Sequence, residues 1–114
     1  MAVDQIVAWV NFSGEESPAT RIIDQLNVKT VDRTAQGLYT INLDSAININ
    51  SICMATAATG LDGSDITYPW ATVELTSTTT ANVTVSTFYP RPVFPAIHPY
   101  LVGNPNVYVL FMGK

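Results

Sequence analysis

Two separated stretches of this chain point to sheet structure: one alternates with a period of two, and the other is an apolar run of strand length. In 38–44 (LYTINLD), Leu38, Thr40 and Asn42 point one way while Tyr39, Ile41 and Leu43 point the other. This is the pattern of a strand with one buried face. In 106–113 (NVYVLFMG) both rows are apolar: Val107, Val109 and Phe111 form one, Tyr108, Leu110 and Met112 the other. A central strand covered on both sides reads this way. One row is assigned to the domain core and the other to an inter-subunit surface.

The remaining strands follow from residue type. Residues 5–12 (QIVAWVNF) are rich in β-branched and aromatic side chains. Ser13-Gly14-Glu15-Glu16-Ser17-Pro18 is a loop by composition. Residues 21–33 are expected to open with a half-turn and continue as a strand around Leu26–Val31, with a short helical alternative over 18–26. Gln36-Gly37 and Asn48 to Asn50 read as turns. Residues 51–59 (SICMATAAT) form a strand with small side chains on both faces, which suggests close approach by another layer. A turn-rich loop over Gly60 to Asp65 leads into a hairpin of 66–76 and 82–88. There Val83 and Val85 face in and Thr84 and Ser86 face out.

Residues 89–105 break the pattern. Pro90, Pro92, Pro95, Pro99 and Pro105 interleave with Tyr89, Val93, Phe94, Ile97 and Tyr100. Proline lacks the amide proton that a sheet ladder needs, so an extended arm or long loop is expected. Its apolar content places it against a surface. At 114 residues the chain has room for one core. The expectation is a single all-β domain over 1–114, an antiparallel β-sandwich (jelly-roll-like or Ig-like) of about seven strands, with the Pro-rich arm at 89–105.

Charge is scarce. Asp, Glu, Lys and Arg make up 12% of the chain, against about 25% in ordinary soluble domains. A lone monomer with so few charges has a weakly protected surface, so part of it is expected to be buried against identical copies or a larger assembly. The net charge of −4 and only five basic residues (Arg21, Lys29, Arg33, Arg91 and Lys114) argue against nucleic-acid binding, which needs a basic face. No apolar run approaches the roughly 18 residues of a membrane-spanning helix. The N-terminal Met1-Ala2-Val3-Asp4-Gln5 has neither a basic segment nor a long apolar one after it. The expectation is a protein made in a cytoplasm and not exported by the signal-peptide route.

Little in the chain carries chemistry. The one histidine, His98, sits between Ile97 and Pro99 with no His, Cys or carboxylate pair nearby in sequence, and is read as a packing or surface residue. Cys53, the single cysteine, excludes an internal disulfide and is read as a buried structural thiol. Asp62-Gly63-Ser64-Asp65 lacks the ligand count and distal Glu of a calcium loop and is read as a turn. No nucleophile elbow or phosphate-cradling glycine motif occurs. The N-x-[ST] sequons at Asn11 and Asn82 fall in predicted strands. No enzyme activity, metal or cofactor is expected. The aromatics offer one alternative: Tyr68, Trp70 and Tyr89 as a sugar-stacking platform. Trp9 and Phe12 are assigned to the core or an interface. The residues expected at an interface with identical copies or a larger assembly are Val93, Phe94, Ile97, Tyr100, Tyr108, Leu110 and Met112.

The order of segments also resembles a module of bacteriophage tail-fibre and minor virion proteins. The elements are Ala8-Trp9-Val10-Asn11-Phe12, Gly14, an Arg-initiated segment over 21–28 ending in Leu26-Asn27-Val28, and Gly37-Leu38-Tyr39-Thr40-Ile41-Asn42. A small-residue run at 53–58 and an apolar strand at 106–111 follow. The match is good over 8–44 and loose beyond, and the Pro-rich arm is longer and more apolar than the pattern. The resemblance implies a β-rich fold, a homotrimer, other virion proteins as partners, location in the virion and no enzymatic activity. A capsid decoration (cement) protein and a tip that binds host surface glycan are the alternatives.

Overall fold

A computed structural model describes residues 5–14, 21–35, 37–58, 68–88, 97–98 and 106–113. Within them lie nine strands: β1 (Gln5–Ser13), β2 (Arg21–Leu26), β3 (Val28–Ala35), β4 (Leu38–Leu43), β5 (Ile52–Ala58), β6 (Tyr68–Leu75), β7 (Thr80–Phe88), β8 (Ile97–His98) and β9 (Asn106–Gly113). They form two antiparallel sheets, ordered β2-β1-β9-β5 and β3-β4-β7-β6, with the two-residue β8 paired to the end of β7. The expected β-sandwich is present. β9, the strand apolar on both faces, is central, between β1 and β5.

Alternation builds the core. Ala8, Val10 and Phe12 of β1 and Val107, Val109 and Phe111 of β9 point inward from one sheet. Tyr39, Ile41 and Leu43 of β4 and Ala81, Val83 and Val85 of β7 meet them from the other. Phe12 and Tyr39 lock the two sheets together edge to face, with ring centroids 5.1 Å apart. Each fully buried Val or Phe contributes roughly 1.5–3 kcal/mol by leaving water. Among the edge strands, Ala55 and Ala57 of β5 and Ala71, Val73 and Leu75 of β6 pack against this core half-buried.

The chain crosses from one sheet to the other at Asn27. The segment expected as one strand around Leu26–Val31, with a half-turn or helix before it, is instead two strands in different sheets. Asn27 adopts φ of 58° between them, a left-handed conformation that asparagine tolerates better than most side chains. Its side chain fixes the corner. Oδ1 accepts from the Ser45 amide and the Ser45 hydroxyl, both at 2.8 Å. Nδ2 donates to the carbonyls of Ser45 and Val7. Helix is excluded over Arg21–Leu26 because this segment pairs along β1.

Two bulges set which side chains leave the core. The register of β1 against β9 shifts between Ile6 and Ala8, and that of β2 against β1 shifts opposite Asn11 and Phe12. The extra residue turns Ile6 outward while Ala8 stays buried. The second bulge leaves Ile22 against the core and Ile23 exposed.

The loop Thr76–Thr79 closes the β6–β7 hairpin, as expected. The Ser77 hydroxyl accepts from the amides of Thr79 and Thr80 at 3.1 and 3.0 Å. The loop carbonyls of Thr78 and Thr79 accept from Ile47 and Leu43, which ties it to the β4–β5 connection.

Candidate functional site

The two outer faces of the sandwich differ in chemistry. On the β2-β1-β9-β5 sheet, strand register builds apolar rows that run across the strands. Leu26, Trp9, Leu110 and Met54 lie side by side, one from each of the four strands. Next to them, Ile6, Met112 and Ile52 form a second row. The third row, Asp24, Asn11, Tyr108 and Thr56, is mostly polar. Its one aromatic, Tyr108, stacks on Trp9 with parallel rings 5.7 Å between centroids. Ile52 is 56% exposed, Met54 49% and Tyr108 45%. The charged positions on this sheet, Asp24 and Arg21, both belong to edge strand β2.

The opposite face, on β3-β4-β7-β6, is hydrophilic. Asp32, Thr40, Asn82 and Glu74 form one row across its four strands. Asn42 donates to Thr30 Oγ1 and to Asp32 Oδ2, both at 2.9 Å. The Thr40 hydroxyl donates to Asn82 Oδ1 at 3.2 Å. A shallow groove of about 290 Å³ opens here, with Thr34, Thr40, Asn82 and Thr84 among its lining. These are hydroxyls and an amide, suited to hydrogen bonding and unsuited to acid–base chemistry at neutral pH. Tyr39 borders the groove from the core side, where its hydroxyl donates to the Gly14 carbonyl at 3.4 Å.

The expected interface residues Tyr108, Leu110 and Met112 lie together on the outer face of β9. The structure joins to them Ile6, Trp9, Leu26, Ile52 and Met54, which the sequence did not assign to that surface, apart from the core-or-interface assignment of Trp9. Trp9 is on the outer face; Phe12 is in the core. In 51–59 the small side chains Ala55 and Ala57 pack against the core, while Ile52, Met54 and Thr56 are exposed on the outer face. The alternation of Ile52, Met54 and Thr56 against Cys53, Ala55 and Ala57 was the signal available for this.

Of the Pro-rich arm, Ile97 and His98 lie in β8, while Val93, Phe94 and Tyr100 fall outside the described residues, as do Tyr89 and the Asp62–Asp65 turn. Tyr68 lies in β6. Trp70 is 38% exposed on the hydrophilic face, opposite Ser86 in register. Ser86, expected to face out, shares a register row with exposed Trp70 but is itself buried. The sugar-platform candidate Trp70 and the interface candidates of β9 therefore belong to different sheets.

Cys53 is half-buried, and burial pushes its thiol up from the usual value. Among the described residues no three His, Cys, Asp or Glu side chains are grouped to hold a metal ion. Asp24, Asp32, Asp44 and Glu74 sit on or beside different strands. No described helix is long and apolar enough to cross a membrane. No protein-family model, curated protein or solved structure matches the chain.

Proposed function

We propose that this chain is a non-enzymatic structural protein of a bacteriophage virion that works as a homo-oligomer, a trimeric component of a tail fibre or appendage. One observation supports assembly above the others: an outer sheet face on which one row is apolar from edge to edge and the next is apolar across the three strands it spans. Water-exposed faces of antiparallel sheets are ordinarily polar, as the second face of this molecule is. The viral location and the trimer number rest on the resemblance over residues 8–44. Light scattering on the purified protein at micromolar concentration should return a trimeric mass, and gold-labelled antibody should decorate the tail of intact particles. Labelling of the head instead would favour the cement-protein alternative. A clean monomer, or particles without label, would remove the proposal.

A second reading has its own support. Trp70 is exposed on the hydrophilic face, which also carries the groove of Thr and Asn side chains. An exposed aromatic ring offers a surface for stacking on a sugar, and hydroxyl and amide side chains elsewhere on the same face offer hydrogen bonds to it. A host-glycan-binding tip would use that face, leaving the apolar face free for assembly. Binding on a host-glycan array that disappears in Trp70→Ala is the expected result, and a blank array with the parent protein would dismiss it.

A further inference from the structure

We infer that copies of this chain meet through the outer face of the β2-β1-β9-β5 sheet, with the row Leu26–Trp9–Leu110–Met54 at the centre of the contact. This assignment rests on the oligomeric function proposed for the chain and names the surface that performs it.

Three properties of the face select a second copy as its occupant. The first is extent. The apolar side chains of the two rows and Tyr108, many of them about half exposed, present on the order of 500 Å² of contiguous apolar surface, near the upper end for the largest patch on a soluble monomer. A standard interface takes about 800 Å² from each partner, so this patch forms most of one side with a polar rim to complete it. The second is charge. The two apolar rows carry no charged residue; the charged positions on this sheet, Asp24 and, opposite Ser13, Arg21, both belong to edge strand β2. A strongly charged partner would leave its ions unpaired against these rows, whereas another copy brings a surface of the same neutral kind. The third is rigidity. The face stands on a sheet whose inner side is the core itself, and Trp9 is already stacked on Tyr108. Ordered aromatic anchors lose little conformational freedom on contact.

The polar row beside the apolar ones supplies the rim. Asn11, Thr56 and Asp24 carry hydrogen-bonding groups at its border, where partial hydration costs little. Side chains of one copy's sheet reach another copy's sheet when the two stack face to face about 10 Å apart.

The test compares outward-facing substitutions on the two sides of the sandwich. Leu110→Glu and, on the edge strand, Met54→Glu place a carboxylate in the central row without entering the core. Thr72→Glu places one on the hydrophilic face, where Thr72 is exposed. Mass is read by light scattering, and folding by far-ultraviolet circular dichroism and thermal melting. The expected result is an oligomeric parent, an oligomeric Thr72→Glu, and folded monomers for Leu110→Glu and Met54→Glu, with association weakened at least tenfold. Met54 is an exposed edge position, so its variant reports on assembly even if Leu110→Glu folds poorly. An oligomeric parent whose folded Met54→Glu and Leu110→Glu variants keep the parental mass overturns the surface while sparing the oligomeric function. A folded monomeric parent overturns both.

Discussion

Asn27 combines a backbone turn with four side-chain hydrogen bonds. It turns the chain between the sheets in a left-handed conformation and holds Ser45 and the Val7 carbonyl. Alanine there loses the hydrogen bonds and keeps the backbone cost, so Asn27→Ala should destabilise the fold by about 2–3 kcal/mol in urea titration. Asn27→Gly removes the same bonds but relieves the conformation, and should recover about 1 kcal/mol of that loss. Equal losses for the two variants would show that the backbone conformation contributes nothing. Two further side chains couple stability to alkaline pH. Burial raises the Tyr39 hydroxyl above its ordinary 10.0, against the opposing charge and hydrogen bond of Arg33. Burial alone raises Cys53 above 9.0. In both cases the folded chain holds its proton more tightly than the unfolded chain. Their contribution is therefore complete below the unfolded values and is lost as pH climbs through and past 9 and 10. The melting temperature should be level near neutrality with respect to these groups and fall above pH 9, and Tyr39→Phe with Cys53→Ala should flatten that fall.

At the scale of the element, β9 is the strand on which both the core and the outer face depend. Its inward Phe111 is fully buried, while its outward neighbour Leu110 is only partly so. Phe111→Ala should cost about 3–5 kcal/mol in denaturant titration, and Leu110→Ala much less in the monomer. Similar costs at the two positions would mean that the faces of β9 are not distinct. These two rows were legible in 106–113 because the pleat repeats every two residues. The same rule located Tyr39, Ile41 and Leu43 inside, and Val83 and Val85 inside. It did not locate the division of 21–35 into β2 and β3, because the corner depends on hydrogen bonds from Asn27 to Ser45 and Val7, eighteen and twenty residues away in sequence. The outward turn of Ile6 was also hidden, since a bulge shifts the phase that alternation assumes.

Across the whole molecule, polarity is divided between the two outer faces, and the proposed assembly is argued from that division. One presents Asp32, Glu74, Thr and Asn; the other presents Trp, Leu, Ile and Met. The assembly proposed through the second face buries apolar surface rather than pairing ions, so its response to salt is diagnostic. Raising sodium chloride from 0.05 to 1 M, conditions under which charge–charge attraction is screened to about 3 Å, should leave the oligomeric mass unchanged. The melting temperature should rise with protein concentration, because association stabilises the folded state by mass action. Dissociation at high salt would place the contact among charged groups instead.

The sequence by itself determined that this chain forms strands, which side of several strands is buried, and that 106–113 is apolar on both sides. Each of these follows from local spacing, since neighbouring side chains on a pleated strand point in opposite directions. Only the tertiary structure decided that Leu26, Trp9, Leu110 and Met54 become one row. That row joins residues from opposite ends of the chain, and local spacing carries no information about which strands pair or in what register.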